Sequence, residues 1–276
     1  MIPWEKDMLP AWPIRRIFTE LLVLVDNNTY IDVDAAGEPG ASFVLDDGEQ
    51  RILFDMGITD IFLKNAAFFG VDLSKVTKAA FSHGHYDHTR GLTHWIEQPY
   101  AGRIPIVAHP DCFTFRSEGE RDIGSPMSAQ QLRAHCPLTL SREPVQLSRN
   151  IVFLGEIPRV TDFEEGGLNG DPLLDDTALA CRTEKGLVLV TGCSHSGICN
   201  IIERAKEVCG DSRIAAVIGG FHLLSLSPQL EKTVDYFEQN GITGLYPCHC
   251  VSFEAKARMH GRIPIKEVAV GFSLSF

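Results

Sequence analysis

Residues 81–91 decide the fold of this chain, and they read Phe-Ser-His-Gly-His-Tyr-Asp-His-Thr-Arg-Gly. The potential metal ligands of this stretch are spaced H-x-H-x-D-H. Because His83 and His85 are two residues apart, their side chains point the same way in an extended segment and can hold one ion. Asp87 and His88 are adjacent, so they point elsewhere and can begin a second site. Imidazole and carboxylate ligands suit Zn, Fe, Mn or Ni rather than Mg alone.

The elements around this stretch predict an α/β protein with two sheets. Apolar runs at 20–25, 41–45 and 51–55 read as strands, the last two joined as a hairpin, and 59–69 has helical spacing. The second half alternates strands with helices, with strands at 178–182, 187–191, 214–218, 244–246 and 266–272 and helices at 197–208, 228–241 and 252–261. Strands followed by such an alternation favour helices on the outer faces of two sheets. No linker interrupts residues 1–276, so we expect a single domain.

Residues 111–150 are the least regular part of the chain. They contain several arginines among Ser, Pro and Gln, and we expect a lid or insertion with short helices there. Those arginines could line the entrance to a site. Arg159 is a separate candidate, because a guanidinium can bind a phosphate through two hydrogen bonds. We therefore predict Arg159 as a substrate-binding residue.

Composition and charge exclude several classes of function. The chain has 276 residues, of which 44% are hydrophobic and 22% charged, and its net charge is −11. An acidic chain has no electrostatic footprint for nucleic acid and argues against anionic membranes. No apolar run approaches transmembrane length and no secretory leader is evident, so we expect a cytoplasmic protein. The eight cysteines show no compact framework and are expected to be reduced thiols.

The stretch from His83 to His88 resembles the signature of the metallo-β-lactamase superfamily. Residues 54–57, Phe-Asp-Met-Gly, also resemble an earlier motif of that superfamily, in which an Asp ends a hairpin strand near the metals. The resemblance implies a four-layer αββα sandwich that carries one or two metal ions at the edge of its sheets. Further segments are similar to a subfamily named after 7,8-dihydropterin-6-methyl-4-(β-D-ribofuranosyl)aminobenzene-5′-phosphate synthase, and these are residues 155–159, 191–197, 219–223 and 247–250.

The remaining metal ligands are predicted from the superfamily pattern, which asks for a third His, a bridging Asp or Cys, and a last His. Cys193 follows a predicted strand where the bridging residue often lies, and it is either a thiolate ligand or a buried structural thiol. We expect His195 to supply the missing imidazole, and His222 and His249 to complete the ligands from other strand ends. Asp175 and Asp176 precede a strand, and either ligates or only orients a histidine. The predicted metal ligands are thus His83, His85, Asp87, His88, His195, His222 and His249.

The resemblance and the ligands together predict a metallohydrolase. Two divalent cations, with Zn expected and Fe, Mn or Ni as alternatives, would lower the pKa of a shared water and make hydroxide available at neutral pH. Asp87 is the predicted catalytic residue, because it could orient that nucleophile or receive its proton. The expected substrate is a small metabolite, phosphorylated or pterin-like. The alternatives are a transferase that joins a pterin to an arylamine, as the subfamily name implies, a di-iron redox protein, and a metal-stabilised binding or sensing module without turnover.

Overall fold

The computed structural model describes residues 19–164, 166–168 and 170–276. In chain order, the strands of these ranges are β1 (Glu20–Val25), β2 (Ser42–Asp46), β3 (Arg51–Phe54), β4 (Lys78–Ala80), β5 (Ile106–Ala108), β6 (Ser117–Glu118), β7 (Arg121–Asp122), β8 (Leu138–Leu140), β9 (Val145–Gln146), β10 (Ile151–Phe153), β11 (Ala178–Thr183), β12 (Gly186–Thr191), β13 (Ile214–Gly219), β14 (Leu245–Pro247) and β15 (Ser273–Ser275). The α-helices are α1 (Ile61–Phe68), α2 (Tyr86–Thr89), α3 (Leu92–Trp95), α4 (Ala129–Arg133), α5 (Ile198–Cys209), α6 (Pro228–Gln239) and α7 (Phe253–His260).

The longer strands build two sheets from the described part of the chain. One sheet has the order β15-β1-β2-β3-β4-β5-β8, and the other has the order β14-β13-β12-β11-β10-β9. Strands β3, β4, β5 and β8 run parallel, and so do β12, β13 and β14. The carboxyl ends of parallel strands meet at one edge of a sheet, which is where open α/β sheets place their sites.

Alternation along the strands explains how the layers pack. In β2, Phe43 and Leu45 belong to the apolar cluster between the sheets, whereas Val44 faces the cluster under the outer helices. In β12, Val188 and Val190 face the space between the sheets, and Leu189 faces the helix layer. Successive strand residues point to opposite faces, so each sheet buries both of its faces. Helices α1, α3 and α4 cover the first sheet and α5, α6 and α7 cover the second, which gives the expected four-layer αββα sandwich.

Most predicted elements are present, with one clear difference at the end of the chain. The 46–49 hairpin turn is confirmed by the antiparallel pairing of β2 with β3, and the long helices of the second half lie within two residues of their predicted bounds. The strand predicted at 266–272 instead begins at Ser273, because Gly271 has φ +88° and a turn closes from Phe272 N–H to the Ala269 carbonyl. Apolar spacing alone did not reveal this turn. A glycine in the left-handed conformation can therefore form a turn at a position that the pattern of apolar residues does not mark.

Residues 111–150 are more integrated than their composition indicates. Strand β8 extends the first sheet, and β9 extends the second. Between them and β5 lie the β6–β7 hairpin and α4, whose amino end carries a capping box formed by Ser128 and Gln131. The lid role predicted for this region stays a prediction, and the part of it that reaches the site is the β6–β7 hairpin described below.

Candidate metal centre

The segment from His83 to His88 leaves the carboxyl end of β4 and enters α2. His83 and His88 are fully buried, and His85 is almost so. Nε2 of His83 lies 3.0 Å from Nδ1 of His85, because His85 is still extended (φ −69°, ψ 151°). Asp87 and His88 lie in the helical turn that follows. The change from extended to helical backbone therefore separates the two pairs of side chains, as their spacing predicts.

Gly84, between the first two histidines, occupies a space that no other residue fits. A Cβ atom there would lie 2.0 Å from the carbonyl oxygen of Cys112 and 2.4 Å from Nη1 of Arg116. The Gly84 amide donates to Oδ2 of Asp175 at 2.7 Å, and Nη2 of Arg116 donates to Oδ1 of the same carboxylate at 2.6 Å. Nε of Arg116 also donates to Asp171 at 2.8 Å. This buried network fixes the backbone that carries His83 and His85.

The other site residues follow strand ends in a left-handed backbone conformation. Asp55 follows β3, and Ser194, His222 and His249 follow β12, β13 and β14, with φ of 59°, 59°, 49° and 51° respectively. Each such non-glycine residue costs about 1–3 kcal/mol and persists only where the surrounding structure holds it. These turns direct side chains of both sheets to one edge, where strain of this kind is typical of functional sites.

The potential ligand atoms form two groups that share one sulfur atom. One group contains His83, Cys193 and His195, and the other contains Asp87, His88, Cys193 and His249. Within each group, the ligand atoms all lie within 4.8 Å of one another. His85 adjoins the first group, since its ring centroid lies 4.7 Å from that of His83 and 4.8 Å from that of His195. Cys193 thus lies where a residue that bridges two ions would lie.

The ligand atoms of the second group lie close together. Nε2 of His88 lies 3.2 Å from Sγ of Cys193 and 3.2 Å from Nε2 of His249. Oδ2 of Asp87 lies 3.4 Å from Nε2 of His249 and 3.8 Å from Nε2 of His88. Imidazole, carboxylate and thiolate are the ligand types that Zn, Fe and related ions take in proteins. The chemistry of the donor set therefore fits divalent transition-metal ions.

His195 provides an independent test of that fit. Its side chain is 4% exposed, yet both Nδ1 and Nε2 lack a hydrogen-bond partner among the described residues. Buried polar nitrogens are almost always paired, so each exception needs an explanation. A cation bound in the first group would supply a partner for one of these two nitrogens through its lone pair.

Neighbouring side chains orient the histidines of the second group. Nδ1 of His88 lies 2.8 Å from Oδ2 of Asp55, and Nδ1 of His249 lies 2.9 Å from Oδ1 of Asn27. Both partners accept hydrogen bonds, so each histidine carries its proton on Nδ1 and directs the Nε2 lone pair inward. Oγ of Ser82 donates a second hydrogen bond to Asp55 at 2.7 Å. Asp55 therefore has the place that the resemblance implied for the Asp at the end of its hairpin strand.

Burial and neighbouring charges set the protonation states of the site. Burial, reinforced by the surrounding histidines, holds the pKa of His83 and of His195 well below the ordinary range, and burial lowers the pKa of His85 to about 4. Burial would raise the pKa of Asp87, but the adjacent His88 and His249 outweigh it and lower that pKa. At neutral pH these three imidazoles are neutral and the Asp87 carboxylate is ionised, which are the forms that bind metal ions.

Other predicted residues lie nearby but outside the two groups. The ring of His222 is 4.3 Å from that of His195, although no atom of His222 joins either group, and its role as a ligand stays a prediction. Asp175 binds Gly84 and Arg116, while Asp176 accepts from Ser196 N–H at 2.9 Å. Both acids thus act on the backbone around the histidines rather than on a ring.

Arg159, the predicted substrate-binding residue, lies outside the cavity above the two groups. It lines a neighbouring cavity of about 380 Å³ instead of the cavity above the two groups. Its guanidinium donates to the carbonyl oxygens of Ile157 at 2.6 Å and of Pro172 at 2.9 Å. Arg159 therefore ties two loops together in this structure, and its substrate contact stays a prediction.

A cavity of about 280 Å³ opens above the two groups. Arg121 of β7 lines it, with Nη2 at 2.6 Å from the hydroxyl oxygen of Tyr86 and the guanidinium 4.6 Å from the centre of that ring. Sequence reasoning anticipated an arginine of 111–150 at the entrance but did not single out Arg121. It missed Asn27 entirely, because an asparagine in a polar turn has no signal that relates it to a histidine 222 residues later.

The remaining lining residues of this cavity are, in chain order, Asn27, Pro39, His85, Asp87, Glu118, Ile123, Leu168, Cys193, His195, His222, Leu224, His249 and Cys250. Members of both ligand groups are among these residues, so a substrate in the cavity would contact both groups.

Comparisons with known proteins agree with this architecture. Residues 35–175 match the family model described as the metallo-beta-lactamase superfamily. The chain is 33% identical over 247 residues to an uncharacterised protein of Methanocaldococcus jannaschii, covering 86% of this chain and 92% of that protein. It is 31% identical over 229 residues to the 7,8-dihydropterin-6-methyl-4-(beta-D-ribofuranosyl)-aminobenzene-5'-phosphate synthase of the same organism, covering 75% of this chain and 78% of that protein.

A solved structure described as a metal-dependent hydrolase of the beta-lactamase superfamily is similar over almost the whole chain. It superposes with a TM-score of 0.79 at 30% identity, covering 93% of this chain and 98% of that one. None of the described helices combines the length and apolar character that crossing a lipid bilayer requires. The layered fold, the H-x-H-x-D-H segment at the sheet edge and these similarities agree, and the chain belongs to the metallo-β-lactamase superfamily.

Proposed function

We propose that this protein is a hydrolase that uses two divalent cations, with Zn expected, to cleave a small anionic metabolite with water. The observation that carries the proposal is the pair of donor groups that share Cys193 at the floor of a 280 Å³ cavity. His83, His85 and His195 would hold one cation, and Asp87, His88 and His249 the other. Such a pair of cations activates water and neutralises negative charge on the group that is attacked.

Asp87 is the residue that we assign to the nucleophile. Its side chain lines the cavity, and its Oδ2 faces the ring nitrogens of His88 and His249. Because those histidines keep the pKa of Asp87 low, the carboxylate is ionised and accepts hydrogen bonds. An attacking water that donates to Asp87 is held in one orientation beside the bound substrate, which contributes to the rate through positioning.

Charge selects the substrate class. The anionic donors of the two groups would be Asp87 and, once a cation is bound, the Cys193 thiolate, whereas the other donors would bind a cation as neutral imidazoles. Two divalent cations would therefore leave the floor of the cavity with a positive net charge. Arg121 and Glu118 line the same cavity and carry opposite charges. A positive cavity in a protein of net charge −11 favours small anions, such as phosphate esters or carboxylates, over polyanions that would meet the whole surface.

A second candidate function is transfer rather than hydrolysis. The observation that favours it is the 31% identity to the M. jannaschii protein named as a synthase. In that case the same site would join a pterin to an arylamine, and water would have to be excluded from the cavity during the reaction. The two functions differ in whether turnover requires a second organic substrate.

A panel of chromogenic esters tests the proposal. Protein reconstituted with Zn or Mn is incubated with p-nitrophenyl phosphate and bis(p-nitrophenyl) phosphate, and with neutral p-nitrophenyl acetate for comparison. We expect hydrolysis of the anionic esters, loss of that activity in His85→Ala, and normal activity in His260→Ala, which changes an exposed histidine at the end of α7. Full activity in His85→Ala would refute the site. Full metal content without hydrolysis would favour the transferase, which is then assayed with a pterin and an arylamine.

A further inference from the structure

Two cysteines meet at the floor of the cavity. Cys250 follows β14 and Cys193 follows β12, and both line the cavity above the donor groups. Sγ of Cys250 also lies 3.5 Å from the carbonyl oxygen of Cys193. Gly220 makes this approach possible, because a Cβ atom there would lie 2.5 Å from Sγ of Cys250 and 3.3 Å from Cα of Cys193. The missing side chain leaves room for Sγ of Cys250 beside the backbone of Cys193.

The two thiols differ in their access to solvent. Cys193 is 3% exposed, whereas Cys250 is half-buried, and both line the cavity above the donor groups. A small oxidant that enters the cavity therefore reaches Cys250, and Cys193 lies beside it with a thiol that can attack the oxidised sulfur. An accessible thiol beside a second cysteine that can resolve the oxidised form is the arrangement typical of reversible cysteine oxidation.

We propose that Cys193 and Cys250 are a redox modification site that forms a disulfide when the protein lacks metal and meets a peroxide. Hydrogen peroxide oxidises the Cys250 thiol to a sulfenic acid and releases one water. The Cys193 thiol then attacks that sulfur, and the S–S bond forms as a second water leaves. Two thiols are oxidised and one peroxide is reduced, so the step balances without another reactant.

The disulfide and the metal ions compete for the same sulfur. This competition rests on the proposed function, in which Sγ of Cys193 is the ligand atom that both groups share. An S–S bond removes the thiolate that would bridge the cations, and bound cations protect that thiolate from oxidation. At equilibrium with a thiol–disulfide couple, metal lowers the equilibrium constant for disulfide formation by the same factor by which the disulfide lowers metal affinity.

Thiol counting on metal-stripped, full-length protein tests the proposal. Protein treated with hydrogen peroxide is quenched, denatured and titrated for free thiols, and the crosslinked peptides are identified by mass spectrometry. We expect two of the eight thiols to disappear, a Cys193–Cys250 peptide to appear, and a thiol reductant to reverse both changes. Elemental analysis after metal is added back should show lower uptake by the oxidised protein. Protein loaded with Zn before peroxide should keep all its thiols.

Two variants provide the controls. Cys250→Ser should keep its remaining thiols and its metal uptake after peroxide, whereas Cys209→Ser, which changes another half-buried cysteine at the end of α5, should behave as the parent protein does. Absence of the crosslink in the parent protein, or equal loss of metal uptake in Cys250→Ser, would overturn the disulfide and leave the proposed function intact. A crosslink that leaves metal uptake unchanged would instead overturn the competition and refute Cys193 as the shared donor.

Discussion

Replacing Arg116 with Met should show how much a buried ion-pair network contributes to the free energy of unfolding, compared with an exposed one. Arg116 is 7% exposed and binds two carboxylates, of which Asp175 is fully buried and Asp171 is 39% exposed. Removal of one partner from a buried ion pair costs about 3–5 kcal/mol, because the other charge remains without compensation. Burial already raises the pKa of Asp175, so its carboxyl takes up a proton in the variant and limits the loss. We therefore expect the lower end, about 3 kcal/mol.

The assay is urea unfolding of metal-free protein followed by circular dichroism. With a urea m-value of about 3 kcal/mol/M, the expected loss moves the midpoint down by about 1 M. Arg142 is the matched control, because it also bridges two carboxylates, those of Asp111 and Glu156, but at the surface. Arg142→Met should leave the midpoint nearly unchanged, since exposed ion pairs contribute little. Adding Asp175→Asn to Arg116→Met should recover part of the loss. Equal midpoints for Arg116→Met and Arg142→Met would refute the reasoning.

Three further outcomes follow from the site. Asp55→Asn weakens the partner that orients His88 and should lower metal affinity by about 10- to 100-fold in a chelator competition, and unchanged affinity would contradict the orienting role. Gly84→Ala places a Cβ atom against the backbone of Cys112 and should abolish metal binding. Gly261→Ala is the control, because a Cβ atom there meets only ordinary contacts, and it should bind metal normally. Metal binding by the Gly84→Ala protein would show that the segment tolerates displacement. Removal of the metal with a chelator should lower the free energy of unfolding by about 2.7 kcal/mol, relative to protein in a free metal concentration of 100 times the dissociation constant. An unchanged melting temperature would argue against tight binding.

The sequence predicts the parts of this molecule that depend on local pattern. The 46–49 turn, the helical spacing of α5 and the H-x-H-x-D-H segment each involve residues that are neighbours in the chain, so spacing alone gives their geometry. The layer order follows as well, because a strand that is apolar at every position must be covered on both faces. The family resemblance predicts that the site lies at the edge of the sheets, and His195 and His249 lie at that edge in the structure.

Contacts between distant parts of the chain could not be predicted in this way. Asn27 and His249 are 222 positions apart, and their hydrogen bond exists only because β1 and β14 end at the same edge. Cys250 adjoins His249 in the sequence, but its contact with Cys193 depends on the empty space at Gly220. The contacts of Arg159 are of the same kind, since its guanidinium donates to the carbonyl oxygens of Ile157 and Pro172, which its local motif does not indicate. Side-chain partners of this kind are set by the tertiary fold.

Metal content is the measurement that tests the central claim most directly. Elemental analysis is made on protein purified without a histidine tag, and on the His195→Ala and His260→Ala variants prepared in the same way. The account predicts about two equivalents of Zn, Mn or Fe in the parent protein and in His260→Ala. It predicts about one equivalent in His195→Ala, because that change removes a donor from the first group and leaves the second complete. A parent protein that takes up no metal even after reconstitution, or a His195→Ala protein that keeps two equivalents, would contradict the account.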